Sequence, residues 1–122
     1  MLENDSYRKY EEIGADAFLL ANIENKHFIE FYDKTYKCLT TYDDTHRSDL
    51  LKTLMCYVES EGDISLTSRK LYQHNNNIRY RLDKIKKLLN ITNSFDTELQ
   101  FYVFARMHKL ELDQLLYKEL II

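Results

Sequence analysis

Glycine occurs only twice in the 122 residues, and proline and tryptophan do not occur at all. A sandwich or barrel needs many tight turns, and most of them want Gly, Pro or another residue at ease with positive φ. Their scarcity excludes such folds and leaves long helices joined by polar connections. Cysteine is nearly absent too. Cys38 and Cys56 share no metal-ligand spacing and read as two reduced core thiols, as suits a cytoplasmic protein. His27, His46, His74 and His108 are too scattered to make a metal site. No N-terminal run resembles a signal peptide, and none approaches membrane-spanning length. A glycine-rich phosphate loop, a nucleophile paired with a base and a metal set are all missing. The chain therefore reads as a non-enzyme that needs no cofactor.

What is present is an ordinary globular composition, 44% hydrophobic and 30% charged, long enough for one core. The net charge of −3 hides an uneven distribution. Residues 1–65 have a balance of −7, residues 66–90 of +6 and residues 91–122 of −2. The basic segment carries Arg69, Lys70, Arg79, Arg81, Lys84, Lys86 and Lys87 against Asp83 alone. One short basic segment inside an acidic protein is the footprint of a polyanion-binding element. A solvated helix face would produce the same count, so the pattern needs further support.

Periodicity supplies the elements. Residues 1–14 are polar and read as a leader or the tail of something upstream, and Ala15 to Ala21 as a short helical run. From about Lys26 to Leu39, apolar residues at Phe28, Phe31, Tyr32, Tyr36 and Leu39 make a helical stripe. The stretch Thr40 to Thr45 reads as a polar connection. A helix from about Arg47 to Glu59 follows, stopped by Gly62. Ser65 is the expected N-cap of a short helix ending near Leu71-Tyr72.

After a turn around Tyr72 to His74, a second helix runs to about Leu89. Its apolar positions Ile78, Leu82, Ile85 and Leu89 are spaced four, three and four, one face of a helix. Asn90 can take the left-handed position that usually closes a helix. The last helix, about Thr97 to Tyr117, is apolar nearly all round between Leu99 and Met107, which predicts a central, buried position. The reading is an all-α domain of five to six helices, with residues 1–45 leading in and 46–122 one compact unit.

Two short helices joined by a tight turn, the second basic outside and apolar inside, describe a helix-turn-helix. A small residue belongs at the centre of the first helix, where the second crosses it, and Ser68 sits there. The second helix would enter the major groove with its N-terminal residues at base edges. Asparagine can donate to and accept from adenine at once, and arginine can pair with guanine in the same way. Asn76 and Arg79 are the leading base readers, with Asn75, Asn77 and Tyr80 nearby. Lys84, Lys86 and Lys87 are better placed for phosphates. Arg81 lies toward the flank, equally suited to a phosphate or a structural contact. His74 is expected to cap or pad the turn, and Tyr72 to pack.

From Asp49 to Leu110 the residues resemble the C-terminal helix-turn-helix domain of the PucR and CdaR group of bacterial transcription activators. In that group a Leu-x-x-Thr-Leu helix precedes an acidic–Gly turn; here stand Leu50 to Leu54, including Thr53, then Glu61-Gly62. A Thr-Ala pair, a Leu and the run His-Arg-Asn-Thr-Leu/Val-x-Tyr-Arg-Leu follow in the group. This chain has Thr67-Ser68, Leu71, then His74 to Leu82, and the spaced Ile85. It departs at Asn75, where the group has an arginine and so one more positive charge, and at Asn77 and Asn90, where it has Thr and often Gly. The resemblance implies a sequence-specific, double-stranded-DNA-binding output domain of a longer regulator, homodimeric when intact, with no membrane partner and no small molecule bound by this segment. A helical dimerisation module is the alternative. It would account for the apolar last helix and the Leu-Ile-Ile end, but not for the basic segment.

Overall fold

The computed structural model describes residues 14–121, and their side chains except at 15, 16 and 113–121. The leader read from the sequence lies outside these residues apart from Gly14. Six helices follow: α1 Ala15–Ala21, α2 Lys26–His46, α3 Leu50–Glu59, α4 Ile64–Leu71, α5 Asn75–Leu88 and α6 Ser94–Ile121. Among the described residues there is no strand. Nor, among them, is any helix long and apolar enough to cross a membrane.

The hub is α3, which packs on α2, α4, α5 and α6. Its sequence explains why. Leu50, Thr53, Leu54 and Tyr57 recur at helical spacing and are all buried. Around them lie Leu39 of α2, Ile85 of α5 and Phe101, Phe104 and Met107 of α6, in one core. The expectation that the last helix would be central is therefore corrected. α6 buries Thr97, Phe101, Phe104 and Ala105 at helical spacing, while Leu99 on its other side is 60% exposed. An all-round apolar composition did not distinguish the packed side from the bare one.

The expected connection at Thr40 to Thr45 is also corrected, because α2 continues to His46. The polar residues serve the helix. Thr40 and Thr45 return their hydroxyls to the Tyr36 and Thr41 carbonyls at 2.8 and 2.9 Å. Asp43 faces the next helix and accepts from the Leu50 and Leu51 amides at 2.8 and 3.0 Å. It satisfies two free donors at the start of α3, where Asp49, the local capping position, makes no side-chain bond. Hence α3 begins at Leu50 rather than Arg47, and Arg47 closes α2 with a left-handed φ of 51°.

Scarcity of glycine has a visible consequence. Arg47, Glu61, Tyr72 and Asn90 all take positive φ at helix ends, a conformation that favours glycine. Gly62, at φ 79°, returns its N–H to the Tyr57 carbonyl at 2.9 Å and stops α3 as read. Asn90, at φ 56°, closes α5 in the expected left-handed form. α6 starts earlier than expected because Asn93 caps it, accepting from the Phe95 and Asp96 amides at 2.9 and 3.1 Å. Cys38 and Cys56 are free and half-buried, at helix seams rather than in the core.

Candidate nucleic-acid interface

α4 and α5 form the helix pair. Asp63, not Ser65, caps α4: its carboxylate accepts from the Leu66 amide at 2.9 Å. A cap must precede the first helical residue, and the helix begins at Ile64. The residue of α4 sealed inside the fold is Thr67, whose hydroxyl donates to the Asp63 carbonyl at 2.7 Å. Ser68 is half-buried and fastens the turn instead, donating to the Gln73 carbonyl at 2.6 Å, while the Gln73 N–H returns to the Ser68 carbonyl at 3.0 Å. His74 is the N-cap of α5, as expected, with Nδ1 3.5 Å from the Asn76 amide. Tyr72 does not pack. It stands 93% exposed in a left-handed conformation, because the reversal between the helices turns its side chain away from both.

The faces of α5 separate cleanly. Ile78 and Ile85 are fully buried, and Leu82, Leu88 and Leu89 pack alongside the core. Asn76, Tyr80, Asp83 and Lys87, spaced four, three and four, make an exposed row on the far side. Tyr80 is 67% exposed. Arg79 is exposed beside that row, with its guanidinium 3.4 Å from the Asn76 side-chain oxygen. Asn77 is exposed and donates to the Gln73 side chain at 3.3 Å, and Asn75 is half-buried at the helix start.

The flanking cations have tasks within the fold. Arg81 is half-buried and donates to the Thr53 hydroxyl of α3 at 3.0 Å. Lys84 places its ammonium 5.3 Å from the centre of the Tyr42 ring on α2. Lys86 is half-buried and, with Arg79, borders a cleft closed by Ile64, Thr97 and Glu98. Beneath that cleft the Tyr57 hydroxyl donates to Glu98 at 3.0 Å, and burial followed by the Glu98 carboxylate pushes its pKa up to about 12. None of the seven cations of residues 66–90 is ion-paired with a described carboxylate. The structure thus brings Asn76, Arg79, Tyr80 and Lys87 onto one open surface, and ties Arg81 and Lys84 partly inward. Among the described residues no group of three His, Cys, Asp or Glu is gathered as a metal would need.

Residues 50–107, from the start of α3 to the middle of α6, match the PucR C-terminal helix-turn-helix domain. This segment belongs to that family. The chain is 28% identical to the proline-responsive transcriptional activator PutR of Bacillus subtilis (strain 168), covering 88% of this chain and 26% of the relative. It is 34% identical to the purine catabolism regulatory protein of the same organism over 66% of this chain and 15% of the relative. The DNA-binding transcriptional activator AdeR, also from that organism, is 23% identical over 84% of this chain and 25% of its own length. The chain therefore spans about a quarter or less of the curated relatives it matches. No solved structure matches it. The match to a helix-turn-helix domain of transcription regulators supports a DNA-binding, regulatory role for the segment.

Sequence reasoning missed two contacts that brace the helix pair. Asp43, the acceptor for α3, lies in a stretch read as a loop. Thr53 was visible only as a motif position. Its partnership with Arg81 joins residues 28 apart, and no local pattern signals that.

Proposed function

We propose that the chain is the sequence-specific DNA-binding output domain of a longer cytoplasmic PucR-type transcription regulator that acts as a homodimer. In this reading α5 enters the major groove by its N-terminal end. Asn76 and Arg79 meet base edges, with Asn75, Asn77 and Tyr80 beside them. Lys86 and Lys87 hold phosphates further along the groove, and Lys84 and Arg81 do so from the flank while bracing the helix. One observation carries the reading: seven cations with no carboxylate partner among the described residues gather on a helix-turn-helix whose apolar face packs into the core. The names of the relatives, among them a DNA-binding transcriptional activator, agree with it.

A helical dimerisation module has one observation in its favour. An apolar cleft of about 440 Å³ runs between α1, α2 and α6, lined by Phe18, Phe28, Phe31, Leu99 and Val103. None of its lining residues comes from α4 or α5, so it can coexist with the DNA-binding face.

Titration of a labelled duplex at several salt concentrations tests the proposal. The isolated chain should bind non-specific DNA with Kd on the order of 10⁻⁴–10⁻⁶ M near physiological salt, and more weakly as salt rises. Affinity indifferent to salt, or no binding at low salt, would overturn it.

A further inference from the structure

Among the described residues, Tyr72 is the most exposed of the large apolar side chains, at 93%, and stands in the turn of the helix-turn-helix. Its φ of 55° is a conformation that bulky side chains rarely adopt and that glycine adopts freely. Neither its ring nor its hydroxyl has a partner among the described residues. An aromatic ring held in water at a position better suited to glycine gains nothing from the fold.

The mounting is nonetheless firm. The Tyr72 N–H returns to the Arg69 carbonyl at 3.3 Å, and Gln73 and Ser68 exchange two bonds beneath it. On the far side of Leu71, the Arg69 and Lys70 side chains are exposed and have no hydrogen-bond or ion-pair partner among the described residues. Cations in the last turn of a helix complement its dipole, which accounts for those two but not for the tyrosine.

We propose that Tyr72, Arg69 and Lys70 form a second DNA contact, a grip on the sugar–phosphate backbone beside the bases that α5 reads. The phenol donates to a phosphate oxygen, the ring packs on the adjoining deoxyribose, and the two cations meet neighbouring phosphates. The position suits this. Tyr72 stands three positions before Asn75, so their Cα atoms are no more than about 11 Å apart, at the end of α5 that approaches the groove. The order of charges fits a polyanion as well, since no described carboxylate competes for Arg69 or Lys70. Such a grip carries no sequence information, so it belongs to affinity and register rather than to specificity.

The proposal rests on the DNA-binding reading above, and its test separates the two. A labelled random-sequence duplex and the matching single strand are titrated with the 122-residue chain and with Tyr72→Phe, Tyr72→Gly and Arg69→Ala/Lys70→Ala. Tyr72→Gly suits the left-handed backbone, so its thermal midpoint should be equal or higher, and a lost affinity could not be blamed on unfolding. Duplex affinity should fall about two- to tenfold in Tyr72→Phe, the effect of one hydrogen bond, and further in Tyr72→Gly. The salt slope should drop by about two in the double alanine variant. If the parent chain binds duplex and Tyr72→Gly binds it equally well, the second contact is wrong and the α5 reading stands. If Tyr72→Gly loses more affinity for the single strand than for the duplex, the ring stacks on bases and the backbone grip is overturned. If the parent binds no duplex, both readings fall together.

Discussion

Arg79 and Arg81 flank Tyr80 on α5 and have different surroundings. Arg79 is exposed and hydrogen-bonds Asn76, its neighbour on the same helix. Arg81 reaches across to Thr53, a fully buried residue whose own hydroxyl donates to the Asp49 carbonyl at 2.7 Å. Arg79→Ala should leave unfolding stability within about 0.5 kcal/mol of the parent, since it removes a surface side chain. On a specific site it should cost about 1–3 kcal/mol and relax the base preference at one position. Arg81→Ala should instead cost about 1–3 kcal/mol of stability, because the buried Thr53 hydroxyl loses its donor. Urea denaturation of the two variants, together with duplex titration, checks the contrast. A stability loss in Arg79→Ala equal to that in Arg81→Ala would refute it. The sequence places both arginines off the apolar stripe and marks Arg81 as the one nearer the flank. It could not reveal Thr53 as the partner, because that contact depends on how α3 crosses α5.

Among the elements, the seam between α2 and α6 holds a part-buried titratable cluster. Tyr32 and His108 lie with Phe104 and Tyr36 in a stack of rings, and the Tyr32 hydroxyl is 2.7 Å from Nδ1 of His108. Burial lowers the His108 pKa, and the Glu111 carboxylate only partly opposes that. Burial also raises the Tyr32 phenol, with Glu111 adding to the effect. Because the folded ring resists a proton that the unfolded chain accepts near its ordinary value of about 6.5, stability should fall as pH drops through that value. The fall should level off once the folded ring titrates too. Urea midpoints between pH 7.5 and 5 should show this component in the parent and lack it in His108→Gln; identical slopes would contradict the assignment. Helix stripes were legible in the sequence, since each rests on local spacing. The ends of α2 and α3 were not, because Asp43 caps α3 from the preceding helix and Thr40 and Thr45 bond back to their own. A polar hexapeptide looks the same whether it leaves a helix or lines its outer side.

For the molecule as a whole, charge is segregated: an acidic chain carries a basic helix-turn-helix with no described carboxylate pairing its cations. The scarcity of glycine and proline and the helical stripes made the fold legible in the sequence, and the His74 to Leu82 run made the family so. The exposed state of Tyr72 was not, since an aromatic beside a helix end is more often packed. Nor was the side of α6 that meets the core, because Phe101 and Phe104 differ from Leu99 and Tyr102 only in register. Two surfaces remain open on opposite accounts of function, the α4–α5 face and the apolar cleft at α1, α2 and α6. The measurement that decides between them is a nuclear magnetic resonance titration of the isotopically labelled chain with a short duplex. Amide shifts confined to residues from about Arg69 to Lys87 are predicted, largest at Tyr72, Asn76, Arg79 and Tyr80. Shifts centred instead on Phe18, Phe28 and Leu99, with α5 unmoved, would contradict the account.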